Sequence, residues 1–105
     1  MRVLFDQGTP VPLRRYLHPH EVDTAAEIGW SELQNGELLN RAESAGYVAL
    51  ITTDHQLRYQ QKLVGRKIRI LVLMTTSWPR IQPRATEVRT KLETLEEGQY
   101  AEISF

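Results

Sequence analysis

The sequence predicts an α/β domain built on a mostly parallel sheet with helices on both faces. Three observations carry that expectation. Strand-length apolar runs alternate with helix-period segments along the chain, the pattern that parallel strands and crossover helices produce. One run, Tyr47–Thr53, is apolar almost throughout, as befits a strand covered on both faces. Two of the runs end in aspartates, Asp6 after Arg2–Phe5 and Asp54 after Thr52-Thr53. Open α/β sheets place their ligand sites at such strand ends.

The elements follow in order. Arg2–Phe5 is the first strand, and Gly8 and Pro10 mark the turn after it. Pro12 suits a first helical turn, where its missing N–H costs nothing, and Leu13, Tyr16 and Leu17 share one face. His18-Pro19-His20 stops this short helix, because a residue before proline avoids the α region. Glu21–Ala25 alternates Val22 and Thr24 with acids and reads as a second strand, followed by a loop, Glu27–Gln34, that carries Trp30. Asn35-Gly36-Glu37 opens a helix, with Asn35 as cap and Glu37 in the first turn, where the dipole favours an acid. Leu38, Leu39, Ala42 and Ala45 form its buried face, and Gly46 suits the position just past its end.

Tyr47–Thr53 is the central strand. Gln56–Val64 is polar, helical or turn-like, and Gly65 breaks it. In Lys67–Met74, Ile68, Ile70, Val72 and Met74 face one way and Arg69, Leu71 and Leu73 the other. Thr75–Pro83 is a loop with Trp78. Ala85, Val88, Leu92 and Leu95 mark a helix over Ala85–Glu97 that Gly98 ends, and Tyr100–Phe105 alternates as a closing strand. Tyr16, Tyr47 and Tyr59 are expected to be packing residues.

A chain of 105 residues fits a single domain, 1–105, with a real but small core. No apolar run reaches transmembrane length, and Val3-Leu4-Phe5 is too short for a signal-peptide core, so no membrane association is expected. The absence of cysteine excludes disulfides and thiolate metal sites and fits a cytoplasmic location. Thirteen basic and thirteen acidic residues cancel, but unevenly along the chain. Glu21, Asp23, Glu27, Glu32, Glu37 and Glu43 are set against Arg41 alone, whereas Arg58, Lys62, Arg66, Lys67 and Arg69 follow Asp54 with no acid among them. That run is either a phosphate-attracting surface or a solvated helix face. No P-loop, GxGxxG, GxSxG or HExxH pattern is present.

Asp6, Glu37 and Asp54 are the residues through which chemistry enters. The aspartates end two strands, and the glutamate opens the helix that leads into the central strand. If the first and third strands are neighbours, the three carboxylates converge and raise one another's pKa, and a hard divalent cation such as Mg²⁺ or Mn²⁺ relieves that repulsion. A metal so held can activate water and stabilise a phosphoryl oxyanion. The competing reading makes both aspartates turn residues bonded to their own backbone and Glu37 a first-turn charge. His55 follows Asp54, either touching a phosphate or as an exposed turn residue, and Gln56, Arg58 and Lys62 continue a polar run past the pocket. A receiver-like phosphoacceptor domain also sets aspartates at strand ends. It would pair acids just after its first strand and follow its fifth with a lysine, and neither feature is present here.

Three stretches, VLFDQGTP at 3–10, NGELLNRAESAG at 35–46 and ALITTDHQLRYQQKLVGRKIRILVL at 49–73, resemble the compact PIN-like proteins, short members of the PIN nuclease superfamily. The resemblance covers roughly residues 1–75. It implies a three-layer α/β/α fold around a mostly parallel sheet, and an acidic pocket that holds Mg²⁺ or Mn²⁺ and hydrolyses RNA phosphodiesters. Asp6 matches the acid after the first strand, Glu37 the helix acid and Asp54 the acid after the central strand, so all three are the implied catalytic and metal-binding residues. Thr52 and Thr53 match the small hydroxyl residues before that last acid, and with His55, Gln56, Arg58 and Lys62 they form the expected substrate-binding set. Where the family sets a fourth acidic or polar residue after the Asp54 position, His55 and Gln56 stand here, and the helix that often opens with an acid opens with Asn35-Gly36. The implied partners are RNA as substrate, an antitoxin or other small protein, and a second copy in a homodimer. The alternative function is a catalytically degenerate PIN-like module that binds a protein.

Overall fold

The computed structural model describes residues 1–105. Five strands form one sheet in which every pair is parallel: β1 (Arg2–Phe5), β2 (Glu21–Thr24), β3 (Ala49–Thr52), β4 (Arg69–Leu73) and β5 (Tyr100–Ile103). Their order across the sheet is β2-β1-β3-β4-β5. Four α-helices accompany them: α1 (Asn35–Ser44), α2 (Leu57–Gln60), α3 (Trp78–Ile81) and α4 (Ala85–Thr94). Val11–Leu17 and Gln82–Arg84 are 3₁₀ helices. The expected α/β class and parallel sheet are therefore present. No helix is long and apolar enough to cross a membrane.

Strand side chains alternate between two apolar clusters, one on each face, because the pleat sends successive residues to opposite sides. Val3, Phe5, Ala49, Ile51, Leu71 and Leu73 join Leu13, Leu17, Ile81, Val88 and Leu92 on one face. Leu4, Leu50, Ile70 and Val72 join Leu38, Leu39, Ala42 and Leu57 on the other. The register keeps like with like, pairing Leu4 with Leu50 and Leu50 with Ile70. Each fully buried Leu or Ile contributes about 1.5–3 kcal/mol relative to exposure.

Several boundaries differ from the sequence expectation, each for a local reason. β3 begins at Ala49 rather than Tyr47, because the Tyr47 N–H still donates to Ala42 O at the end of α1 (3.0 Å). Its ring packs on the α1 face and its hydroxyl donates to Asp23 (2.6 Å). Gln34, not Asn35, takes the extended cap conformation before α1, and Asn35 lies inside the first turn. Gln56–Val64, expected to be helical or turn-like, holds the single helical turn of α2. The expected loop at 75–83 contains α3, and Trp78 in it packs against Tyr16 with ring centroids 5.7 Å apart. Trp30 meets Tyr47 edge-on at 6.1 Å, so both tryptophans close margins of the core. α4 ends at Thr94, not Glu97, where Leu95 turns extended and buries its side chain, while its carbonyl accepts Arg69 Nε (3.0 Å).

Gly98 consequently serves the turn into β5 rather than the helix end. It sits at φ +79, its N–H donates to Lys67 O (2.9 Å), and a Cβ there would lie 2.8 Å from Arg66 O. Gly65 has a similar φ of +85 but open space around it. Gly65→Ala should cost about 1–2 kcal/mol for the left-handed backbone alone. Gly98→Ala should cost clearly more, since backbone must also move. Urea denaturation of the two variants side by side checks the difference, and equal midpoints would contradict it.

Candidate active site

The strand order places a topological switch point between β1 and β3. The chain leaves β1 to one side for β2, then crosses back over β1 to β3 and continues outward. In such sheets the crevice beyond the carboxyl ends of the two strands at the switch is the usual ligand position. Asp6 directly follows β1 there, and Asp54 lies two residues beyond β3.

Thr52 joins them. Its side chain is almost fully buried; its hydroxyl donates to Asp6 Oδ2 (2.8 Å) and accepts the Asp54 N–H (3.0 Å). Asp6 Oδ1 accepts the Gln7 N–H (2.8 Å), and the Asp6 N–H donates across to Ile51 O (2.9 Å). Asp54 Oδ1 accepts the Gln56 N–H (2.9 Å), and its Oδ2 accepts Asn35 Nδ2 (2.7 Å). Thr9, buried, donates its hydroxyl to Ile51 O (3.1 Å) and pins the turn after β1 against β3. Burial pushes the Asp6 carboxyl above its ordinary 3.8 and the nearby Asp54 charge adds to this, while the hydrogen bonds from Thr52 and Gln7 act in the opposite sense.

The structure thus brings together two of the three expected acids. Glu37 occupies the first turn of α1 as expected, but its carboxylate turns along the helix to Arg41 (3.2 Å) and is half exposed. No group of three or more Asp, Glu or His side chains stands close enough to hold a metal ion in this arrangement. Asn35 takes the place beside Asp54 instead, also reaching Gln60 Oε1 (3.4 Å). The start of α1 sits so close to the segment after α2 that a Cβ on Gly36 would lie 2.7 Å from Gln61 Oε1. Reading Asn35 as a cap missed this contact. The signal was the Asn-Gly pair itself, a small polar donor followed by the residue that permits close approach.

Thr53 is half-buried, with its Oγ1 against Gly8, and His55 and Gln56 are exposed beside Asp54. Arg58 points away from the acids. Its guanidinium lies over Tyr59 (4.8 Å) and Tyr100 (5.6 Å), and its Nε is 3.9 Å from Glu102. Nor is the basic run one free surface, since Arg66 is paired with Glu43 (2.5 Å) and Arg69 is engaged at Leu95. Lys62 and Lys67 are exposed and form no ion pair. Arg14 is likewise committed, to Glu27 (2.9 Å).

No family model, curated protein or solved structure matches the chain. The class defined so far is therefore structural: a doubly wound parallel α/β domain with an aspartate pair at its switch point.

Because folded Asp6 holds its proton more tightly than unfolded Asp6, its ionisation costs stability. That cost is absent below pH 3.8 and grows as pH rises through the folded value. In EDTA, Asp6→Asn should raise the melting temperature at pH 7 and leave it nearly unchanged at pH 3; a fall at pH 7 would refute the assignment. Thr52→Val removes both buried hydrogen bonds and should cost about 1–3 kcal/mol at pH 7, measured by urea denaturation. The loss should shrink at pH 3, where Asp6 is protonated.

Proposed function

We propose that the chain is a PIN-like, metal-dependent ribonuclease that acts on RNA phosphodiesters in the cytoplasm, with Asp6 and Asp54 at its centre. The observation that carries this reading is the pair itself: two aspartates delivered by adjacent parallel strands to the switch point, with the Thr52 hydroxyl bonded to the Asp6 carboxylate and to the Asp54 backbone N–H. The three-layer PIN-like arrangement belongs to the same proposal. So does the toxin–antitoxin setting that the sequence resemblance implies.

The donor set fits Mg²⁺ or Mn²⁺, which bind through one or two carboxylates and otherwise keep water. Asp6 and Asp54 would hold the ion, which when bound supplies Lewis acidity toward a phosphoryl oxygen. Thr52 orients the Asp6 carboxylate and holds the Asp54 backbone, and Asn35 and the Gln56 N–H fix the rotamer of Asp54. Glu37 would be the third acid to hold the ion, on leaving Arg41. That exposed pair is worth only about 0.3–0.5 kcal/mol, so the turn is cheap. Lys62, unpaired, is the cation available to a scissile or flanking phosphate. Lys62 takes the phosphate-gripping role that the sequence shared between it and Arg58.

One observation favours a second reading, the degenerate protein-binding module: Glu37 is paired with a cation and Asn35 stands where a further acid would complete the group. Calorimetry separates the two. The nuclease reading expects Mn²⁺ to bind wild type and not Asp6→Asn/Asp54→Asn, and Mn²⁺-dependent RNA cleavage to disappear in the double variant. Glu37→Gln should lower cleavage while changing stability by less than about 0.5 kcal/mol. Wild type that takes up no Mn²⁺ and cleaves no RNA would overturn the nuclease and leave the module.

A further inference from the structure

The residues after Asp54 build an object that the metal site does not use. Tyr100 at the start of β5, Arg58 of α2 and Tyr59 of α2 form a ladder: the Arg58 guanidinium lies 5.6 Å from the Tyr100 ring and 4.8 Å from the Tyr59 ring. Glu102 anchors its base, accepting the Tyr100 hydroxyl (2.8 Å) and lying 3.9 Å from Arg58 Nε. Arg58 also donates to the Tyr59 hydroxyl (2.6 Å), which fixes the orientation of the upper ring. That ring is 69% exposed, whereas Tyr16, Tyr47 and Tyr100 are all at least partly buried. Tyr59 is thus not the packing residue the sequence suggested. A guanidinium supports it from one side, and solvent is left on the other.

We propose that Tyr59 is a stacking platform for an unpaired nucleobase of single-stranded RNA whose backbone continues to the Asp6–Asp54 site. An aromatic ring held by a cation on one face stacks any base on the other, because every base has a π-face. Charge favours RNA over a protein as the occupant. No acid lies between Asp54 and Glu87 in the chain, Lys62, three residues after Tyr59, is exposed and without an ion pair, and Glu102 at the base is engaged by Arg58 and Tyr100. Position favours it as well. α2 is tied to the acid site at both ends, through the Gln56 N–H on Asp54 and through Gln60 on Asn35. Tyr59 therefore belongs to the single turn of helix that follows the Asp54 loop and is tethered to it. A duplex offers no free base face, so the platform selects single strands.

This inference rests on reading the site as an RNA phosphodiesterase, and its test does not need cleavage. Fluorescence anisotropy of a labelled single-stranded RNA oligonucleotide, in EDTA, reads binding without chemistry. Tyr59→Ala and Tyr59→Leu should each weaken binding about tenfold or more, while Tyr59→Phe stays within about threefold of wild type. Lys62→Ala should weaken binding and flatten its salt dependence. The same sequence as a duplex should bind more weakly than the single strand. Circular dichroism confirms folding, which substitution at this exposed position should not disturb. Wild-type affinity in Tyr59→Ala overturns the platform. So does retention in Tyr59→Leu, which would mark a general apolar patch suited to a protein. Tyr59-dependent binding by a protein that never cleaves RNA would sustain the platform and sink the nuclease.

Discussion

The parallel pairing of β1 with β3 is the constraint on which the rest of the molecule depends. It sets Val3, Leu4 and Phe5 against Ala49, Leu50 and Ile51, so that alternate side chains feed the two apolar clusters in register. A slip of one residue would send every one of these side chains to the wrong face. The same pairing carries Asp6 and Asp54 to one edge, where the buried Thr52 hydroxyl spans them. Core and candidate site are thus consequences of one register. The Asp6 N–H to Ile51 O bond and the Thr9 hydroxyl on the same carbonyl continue the pairing past the end of the strand. They stop the turn from peeling away and separating the acids.

That arrangement carries a standing electrostatic cost. Asp6 is held where burial and a neighbouring carboxylate both oppose its charge. A domain of this size has little stability to spare, and a neutral amide at position 6, still able to accept a hydrogen bond, would serve the fold better. Perturbed carboxylates gathered in a cleft are a signature of functional sites, although structural networks also produce them. Asp6 has no cationic partner, and its carboxylate accepts two hydrogen bonds, from Gln7 and Thr52.

What the sequence made legible was the part governed by period and by strong turn chemistry. The faces of Lys67–Met74 were assigned correctly from alternation, with Ile68, Ile70 and Val72 in one cluster and Leu71 and Leu73 in the other. Gly46 past α1 and the aspartates at the strand ends were equally readable, because backbone conformation and polarity mark them locally. The failures were decided by contacts distant in sequence. Nothing near Leu95 announces that it leaves the helix, because the reason is a core to be filled and an Arg69 side chain 26 residues away. Nothing near Glu37 reveals whether it faces Asp54 or Arg41. The two choices differ by a side-chain rotation, and the i, i+4 spacing to Arg41 offers a partner within the helix itself. Asn35 was misread for a similar reason, since a residue that is good at capping is also good at donating across to another loop.

Charge shows most plainly how the third dimension rewrites the linear reading. Along the chain, an acidic first half precedes a basic run, and the total is zero. In the fold, the two halves partly neutralise each other: Arg66 meets Glu43 and Arg41 meets Glu37. Arg58 is drawn between two tyrosines toward Glu102. What is left without an ion pair is local: Lys67 just before β4, at the other end of the sheet from the acids, and Lys62, exposed three residues after the exposed ring of Tyr59. With a Debye length of about 8 Å at physiological salt, a ligand approaching this edge of the sheet feels those nearby charges and little of the rest. A protein of zero net charge can therefore still present a nucleic-acid surface, provided that its acids are paired away from that edge or reserved for a metal. Glu43, paired with Arg66, meets the first condition, and under the proposed function Asp6, Asp54 and Glu37 are the acids for the second.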